Sequence, residues 1–97
     1  MLLKAGVDIS RLNREIRRSL PRVEAVYAQY IETFVIASTF EGNHGSGSLH
    51  YSNDAYDVRL PTDDRNEIYL AIKETLGNSY DVVLEGDHIH VEYDPKK

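Results

Sequence analysis

The chain of 97 residues contains no cysteine. That removes disulfides, thiolate zinc fingers, iron–sulfur clusters and a cysteine nucleophile together. It also lacks any internal repeat or low-complexity tract, and it has no apolar run long enough for a signal peptide or a bilayer span. Positive charge is scarce beyond residue 30, where five Lys and Arg stand against thirteen Asp and Glu. Residues 1–30 carry six against three. An acidic body argues against nucleic-acid binding, which needs a positive surface. Arg11, Arg14, Arg17, Arg18 and Arg22 therefore read as the solvated side of a helix. These absences predict a single domain over 1–97, cytoplasmic as synthesised, with no nucleic-acid or membrane partner.

What is present falls into a simple order. Ile9, Leu12, Ile16 and Leu20 have helical spacing over 8–20, with Asp8 or Ser10 as the cap. Pro21 suits the first turn of a second helix whose stripe is Val23, Val26, Tyr27 and Tyr30, so 8–30 is expected to be a bent helix pair. Thr33 to Ala37 is β-branched and aromatic, a buried strand. Residues 38–54, with Gly42, Gly45 and Gly47, form a long polar loop, a usual carrier of function. Asp57 to Leu60 reads as a short strand ended by Pro61. Asp64 and Glu67 make a capping box for a helix through Ile68, Ile72 and Leu76 that stops at Gly77. Tyr80 to Glu85 and Asp87 to Tyr93 form a hairpin closed at Gly86-Asp87. The fold class is α+β: N-terminal helices and one further helix packed on a small, mostly antiparallel sheet.

The four histidines are His44, His50, His88 and His90, all beyond residue 43. Strand alternation puts Ile89, Val91 and Tyr93 on one side of the hairpin and His88, His90 and Glu92 on the other. A two-residue turn places Glu85 directly opposite His88. Glu85, His88 and His90 then share a face, as a metal or acid–base cluster or as ordinary exposed polar groups. The second group surrounds His50 and Asp57, seven apart, with His44 six residues before His50. Together the two groups contain a His/Asp/His set with a spare Glu, which is what catalytic zinc requires. The helical H-E-x-x-H arrangement is absent. Glu92 reads as a solvated charge near a strand end, and Tyr56 as core.

At these residues the sequence resembles a known family. Ser48-Leu49-His50-Tyr51, Ala55-Tyr56-Asp57 and Glu85-x-x-His88-Ile89-His90 look like the zinc-site motifs of the D-alanyl-D-alanine metallopeptidases. That superfamily includes bacterial carboxypeptidases, vancomycin-resistance dipeptidases, phage endolysins and the amino-terminal signalling domain of hedgehog. The likeness runs from about Thr33 to Tyr93. It implies a zinc-site core over 33–93 in a hedgehog/DD-peptidase-like fold, with Zn²⁺ held by His50, Asp57 and His90. It implies Glu85 as general base toward water at the zinc, and His88, helped by His44, as donor to the developing oxyanion. Ser48 and Tyr51 would contact substrate.

Two segments depart from the family pattern. Asn53-Asp54 stands where many members have a Gly-Arg-like pair. Asn tolerates a left-handed turn, so the backbone is expected to survive, while Asp54 would add negative charge near the site. Phe40-Glu41-Gly42-Asn43 lacks the arginine that anchors a substrate carboxylate in the carboxypeptidases. The resemblance thus implies a zinc peptidase acting on peptidoglycan stem peptides or cross-links, of D,D-carboxypeptidase or endopeptidase type. A phage-encoded protein, released by lysis or carried among virion proteins, would suit the missing signal peptide. The alternative is a zinc-binding interaction module with weak or no catalysis.

Overall fold

The hairpin sets the fold, because its residues alternate between apolar and polar. In a computed structural model describing residues 1–39 and 53–95, β4 (Tyr80–Leu84) and β5 (His88–Tyr93) pair antiparallel, Leu84 opposite Ile89. The Glu85 N–H donates to the His88 carbonyl at 2.9 Å, so Gly86 and Asp87 form the two-residue turn. β3 (Ala55–Arg59) pairs with the other side of β5, and β2 (Val35–Ser38) with β3, both antiparallel. The two-residue β1 (Leu2–Leu3) runs parallel to β2 and completes a mixed sheet of order β1-β2-β3-β5-β4. That parallel edge was not expected from the sequence. Helices α1 (Arg14–Gln29) and α2 (Arg65–Leu76) cover one face, where Ile36, Tyr56, Val58, Val82, Ile89 and Val91 join the helical core residues. Among the described residues no helix is long and apolar enough to cross a membrane.

The N-terminal region corrects the expected helix pair. There is one helix, α1, and Pro21 lies inside it. An interior proline costs about 3 kcal/mol. The stripe of Ile16, Leu20, Val23, Val26 and Tyr27 is buried on both sides of Pro21, at about 1.5–3 kcal/mol for each side chain. Packing therefore outweighs the lost hydrogen bond, and the helix passes through. Residues 8–13 stay outside it for an identifiable reason. The Arg17 guanidinium donates to the carbonyls of Ser10 and Leu12 at 2.8 and 3.0 Å, and the Asp8 carboxylate accepts the Ser10 N–H. Asn13 begins α1 instead, with its N–H on the Asn53 carbonyl and its side-chain amide on Asp54.

Three tyrosines tie α1 to the sheet. Tyr56 Oη lies 2.7 Å from Ser19 Oγ, Tyr27 donates to the Arg59 carbonyl at 2.7 Å, and Tyr80 donates to the Glu15 carbonyl at 2.7 Å. Burial raises the pKa of all three hydroxyls above the ordinary 10, so they remain neutral donors at physiological pH. α2 begins and ends where the sequence predicts, at Asp64 and Gly77, yet Asp64 makes no side-chain cap. Both Glu32 carboxylate oxygens accept backbone N–H groups of Thr62 and Asp63 instead, at 2.8 and 3.1 Å. A carboxylate from another part of the chain thus holds the turn that leads into α2.

The end of α1 carries measurable strain. Ile31 N–H bonds the Ala28 carbonyl and Glu32 N–H bonds the Tyr27 carbonyl, the paired bonds of a Schellman ending. The residue at the left-handed position is a β-branched isoleucine with φ 57° that is 95% exposed. A side chain there costs about 1–2 kcal/mol, and its exposure recovers almost none of that by burial. Ile31→Gly should raise stability by about 0.5–1 kcal/mol after the entropy of glycine in the unfolded chain is subtracted. A higher urea midpoint at unchanged slope is the expected result; a lower midpoint contradicts this reading.

Candidate metal centre

Asp57 owes its position to its neighbours. Tyr56 and Val58 are both fully buried in the helix-covered core, so alternation directs the Asp57 side chain to the opposite sheet face. Ile89 and Val91 do the same for His88, His90 and Glu92 on β5. Asp57 pairs directly with His90 across the ladder, Arg59 with His88, and Ala55 with Glu92. On β2 the register shifts between Ile36 and Ser38, so that Ser38 faces Asp57. Such a bulge beside a site re-aims side chains toward it. Asn53, just before β3, has φ 62°, the left-handed turn that its identity permits. Asp54 is not free charge beside the site, because its carboxylate accepts the Asn13 amide at 2.7 Å.

One carboxylate serves two imidazoles. Asp57 Oδ1 lies 2.9 Å from His90 Nδ1 and 3.5 Å from His88 Nε2. Each ring has a further carboxylate on its other nitrogen: Glu92 Oε1 at 2.6 Å from His90 Nε2, and Asp87 Oδ1 at 2.5 Å from His88 Nδ1. The side chains of Asp57, His90 and Glu92 are 13%, 16% and 21% exposed, whereas Asp87 is 90% exposed. The inner three are thus shielded and the outer pair faces water. Glu92 is consequently not the solvated charge its position suggested. It orients His90, as outer carboxylates orient ligating histidines.

Among the described residues Asp57 and His90 supply two donors of the kind that zinc takes. Ligand distances of about 2.0–2.2 Å put two ligands of a tetrahedral ion roughly 3.3 Å apart, so Asp57 and His90, hydrogen-bonded at 2.9 Å, would part slightly to admit one. Asp57 and His90 are therefore suitable ligands, with Glu92 behind His90. Glu85 lies opposite His88 on the same face, exposed at the hairpin end. His44, Ser48, His50 and Tyr51 lie outside the described residues. A second acidic group was missed. Carboxylate oxygens of Asp81, Glu92 and Asp94 all lie within 4.8 Å of one another and could hold a metal ion. Asp81 and Glu92 are cross-strand partners, a pairing that follows from the Gly86-Asp87 turn. An all-carboxylate group suits a hard cation, whereas the aspartate and imidazoles suit zinc.

The charge state of His90 follows from its surroundings. Burial lowers its pKa, but the hydrogen bonds to Asp57 and Glu92 and their negative charges outweigh burial and raise it above 6.5. In the metal-free protein the imidazolium thus stabilises the fold fully below about pH 6.5, and that contribution is lost as pH rises through the higher folded value. Ligation requires the proton to leave, so zinc affinity should increase with pH up to that value. An NMR titration of His90 in metal-free protein should give a midpoint above 6.5, lowered by Glu92→Gln. A wild-type midpoint at or below 6.5 would contradict the arrangement. Compared with known proteins, the chain matches no family model and none of the curated proteins.

Proposed function

We propose that the protein is a zinc-dependent peptidase acting on peptidoglycan stem peptides or their cross-links. The observation that carries this reading is one half-buried aspartate, Asp57, set against two histidines of the adjacent strand, with Glu85 on the same face. The peptidoglycan substrate rests on the resemblance of residues 48–51, 55–57 and 85–90 to the D-alanyl-D-alanine metallopeptidases.

Asp57 and His90 would hold the ion, with His50 as third ligand. When bound, zinc polarises a carbonyl and lowers the pKa of water toward about 7. The chain's own residues supply the remaining work. Glu85 takes the proton of the attacking water and passes it to the leaving amine. His88, whose Nδ1–H donates to the Asp87 carboxylate, would donate from Nε2 to the carbonyl oxygen only as the imidazolium, and in that form would offset the charge that grows there. Glu92 keeps His90 oriented through Nε2. Ser48 and Tyr51 would contact the substrate, and His44 would assist His88.

A second reading is a zinc-binding interaction module without efficient turnover, for example a virion component. The exposed position of Glu85 at the hairpin end favours it, since a general base works best where water is excluded. Incubating the zinc-supplemented chain with purified sacculi and cross-linked muropeptides separates the two. The peptidase reading expects new amino termini and a loss of about 10²-fold or more in Glu85→Gln, with zinc still bound one to one. Stoichiometric zinc without product supports the module. Failure to bind zinc at neutral pH contradicts both.

A further inference from the structure

The two edges of the sheet complement each other. The order β1-β2-β3-β5-β4 leaves β1 and β4 each with one open side, and an open strand edge is a template for further pairing. Four of the six large apolar side chains exposed among the described residues stand there: Met1, Leu2 and Leu3 at the β1 edge, and Val83 on β4. A cleft of about 500 Å³ lies beside β4, lined by Lys73, Tyr80, Asp81, Val82, Val83 and Glu92. The backbone is in phase for pairing on both edges. Leu2 and Lys4 donate their N–H groups inward to β2, to the carbonyls of Phe34 and Ile36, so Leu3 turns its N–H and carbonyl outward. On β4 the Glu85 N–H bonds to β5. By alternation Val83 and Asp81 also face inward, so Val82 turns its own N–H and carbonyl to the open side.

The side chains agree with that phase. Leu2 pairs with Val35 and Leu3 with the core residue Ile36. Leu3 thus lies on the helix-covered face and Leu2 on the open one, where Lys4 also lines a cleft with Ala37 and Asp57. Val82 is likewise buried under the helices, while Asp81 and Val83 lie on the open face beside Glu92 and His90. β1 and β4 run in opposite senses across the sheet. We propose that β1 of a second copy of the chain adds antiparallel to β4, with Leu2 opposite Val83, Leu3 opposite Val82 and Lys4 opposite Asp81. Apolar side chains then meet twice, and the ammonium meets a carboxylate that lies within 4.8 Å of those of Glu92 and Asp94. A shift of two residues either way keeps the backbone phase but sets Leu2 against Asp81 or Glu85, so only the stated register matches charge and polarity. Each copy offers its β4 edge to the next, a head-to-tail contact that builds rings or open chains. The sheet continues edge to edge with its open face uncovered, so the assembly requires neither metal nor turnover at Asp57 and His90.

A contact this short belongs to the weak class, so the test is sedimentation velocity of the full chain between about 10 μM and 1 mM. Wild type should grow with concentration through dimers to larger species. Lys4→Glu alone and Asp81→Lys alone should each weaken association by about tenfold or more, with unchanged far-ultraviolet circular dichroism. An equimolar mixture of the two variants should recover it, since each exchanged charge then finds its opposite on the neighbouring copy and the remaining wild-type edges still match. The chain carrying both substitutions should associate as wild type does. Damage to the fold by either substitution would not be repaired by mixing. A monomer over the whole range, a species that closes at the dimer, single variants that associate as wild type does, or a mixture no larger than its components overturns the proposal.

Discussion

The structure depends on the register of β3 against β5. Tyr56, Val58, Ile89 and Val91 are fully buried under the helices, and because strand side chains alternate strictly, their burial fixes where Asp57, His88, His90 and Glu92 point. A slip of β3 by one residue would drive Asp57 into the core and expose Tyr56 and Val58; a slip of β5 would bury His88 and His90 and expose Ile89 and Val91. The hydrophobic term that holds the sheet to α1 and α2 is thus the same term that presents the polar face. The tyrosine hydroxyls reinforce it, since Tyr56 and Tyr27 bind β3 to α1 at either side of Asp57.

The polar face is an alternation of acids and imidazoles: Asp87, His88, Asp57, His90, Glu92, and then the Asp81 and Asp94 carboxylates. Like charges directly opposite on paired strands repel, as Asp81 and Glu92 do. A protonated His90 beside Glu92 offsets part of that repulsion, which gives its raised pKa a structural role as well as a chemical one. The acidic excess of residues 31–97 is therefore not spread evenly over the surface. Much of it is gathered where imidazoles, or a cation, can compensate it. Lys4 and Arg59 line a cleft toward the other end of this face, together with Asp57, Asp87 and His88.

Much of this was legible in the sequence wherever a short-range rule decides the outcome. The Gly86-Asp87 turn, the alternation of Ile89 and Val91 with His88 and His90, the end of α2 at Gly77 and the left-handed Asn53 all follow from local chemistry. The helix pair that spacing predicts over 8–30 is instead one helix from Arg14, because packing on both sides of Pro21 overrides the local proline rule. Arg17 capturing the carbonyls of Ser10 and Leu12 is likewise a contact that spacing does not announce. The hold of Glu32 on the turn before α2 and the tie of Asp54 to Asn13 join residues far apart in the chain, and no local pattern reveals them. Glu92 and Asp81 were within reach, because the turn that places Glu85 opposite His88 also pairs Asp81 with Glu92.

The central claim is that a metal ion belongs with Asp57 and the hairpin histidines. Zinc-edge X-ray absorption of the reconstituted full chain tests it most directly, because imidazole ligands leave a distinct outer-shell scattering pattern. The account predicts a first shell of nitrogen and oxygen near 2.0–2.1 Å with imidazole scattering that falls by about half in His90→Ala, as one of two imidazole ligands is removed. A shell of oxygen alone, without imidazole scattering, would place the ion on Asp81, Glu92 and Asp94 and contradict it.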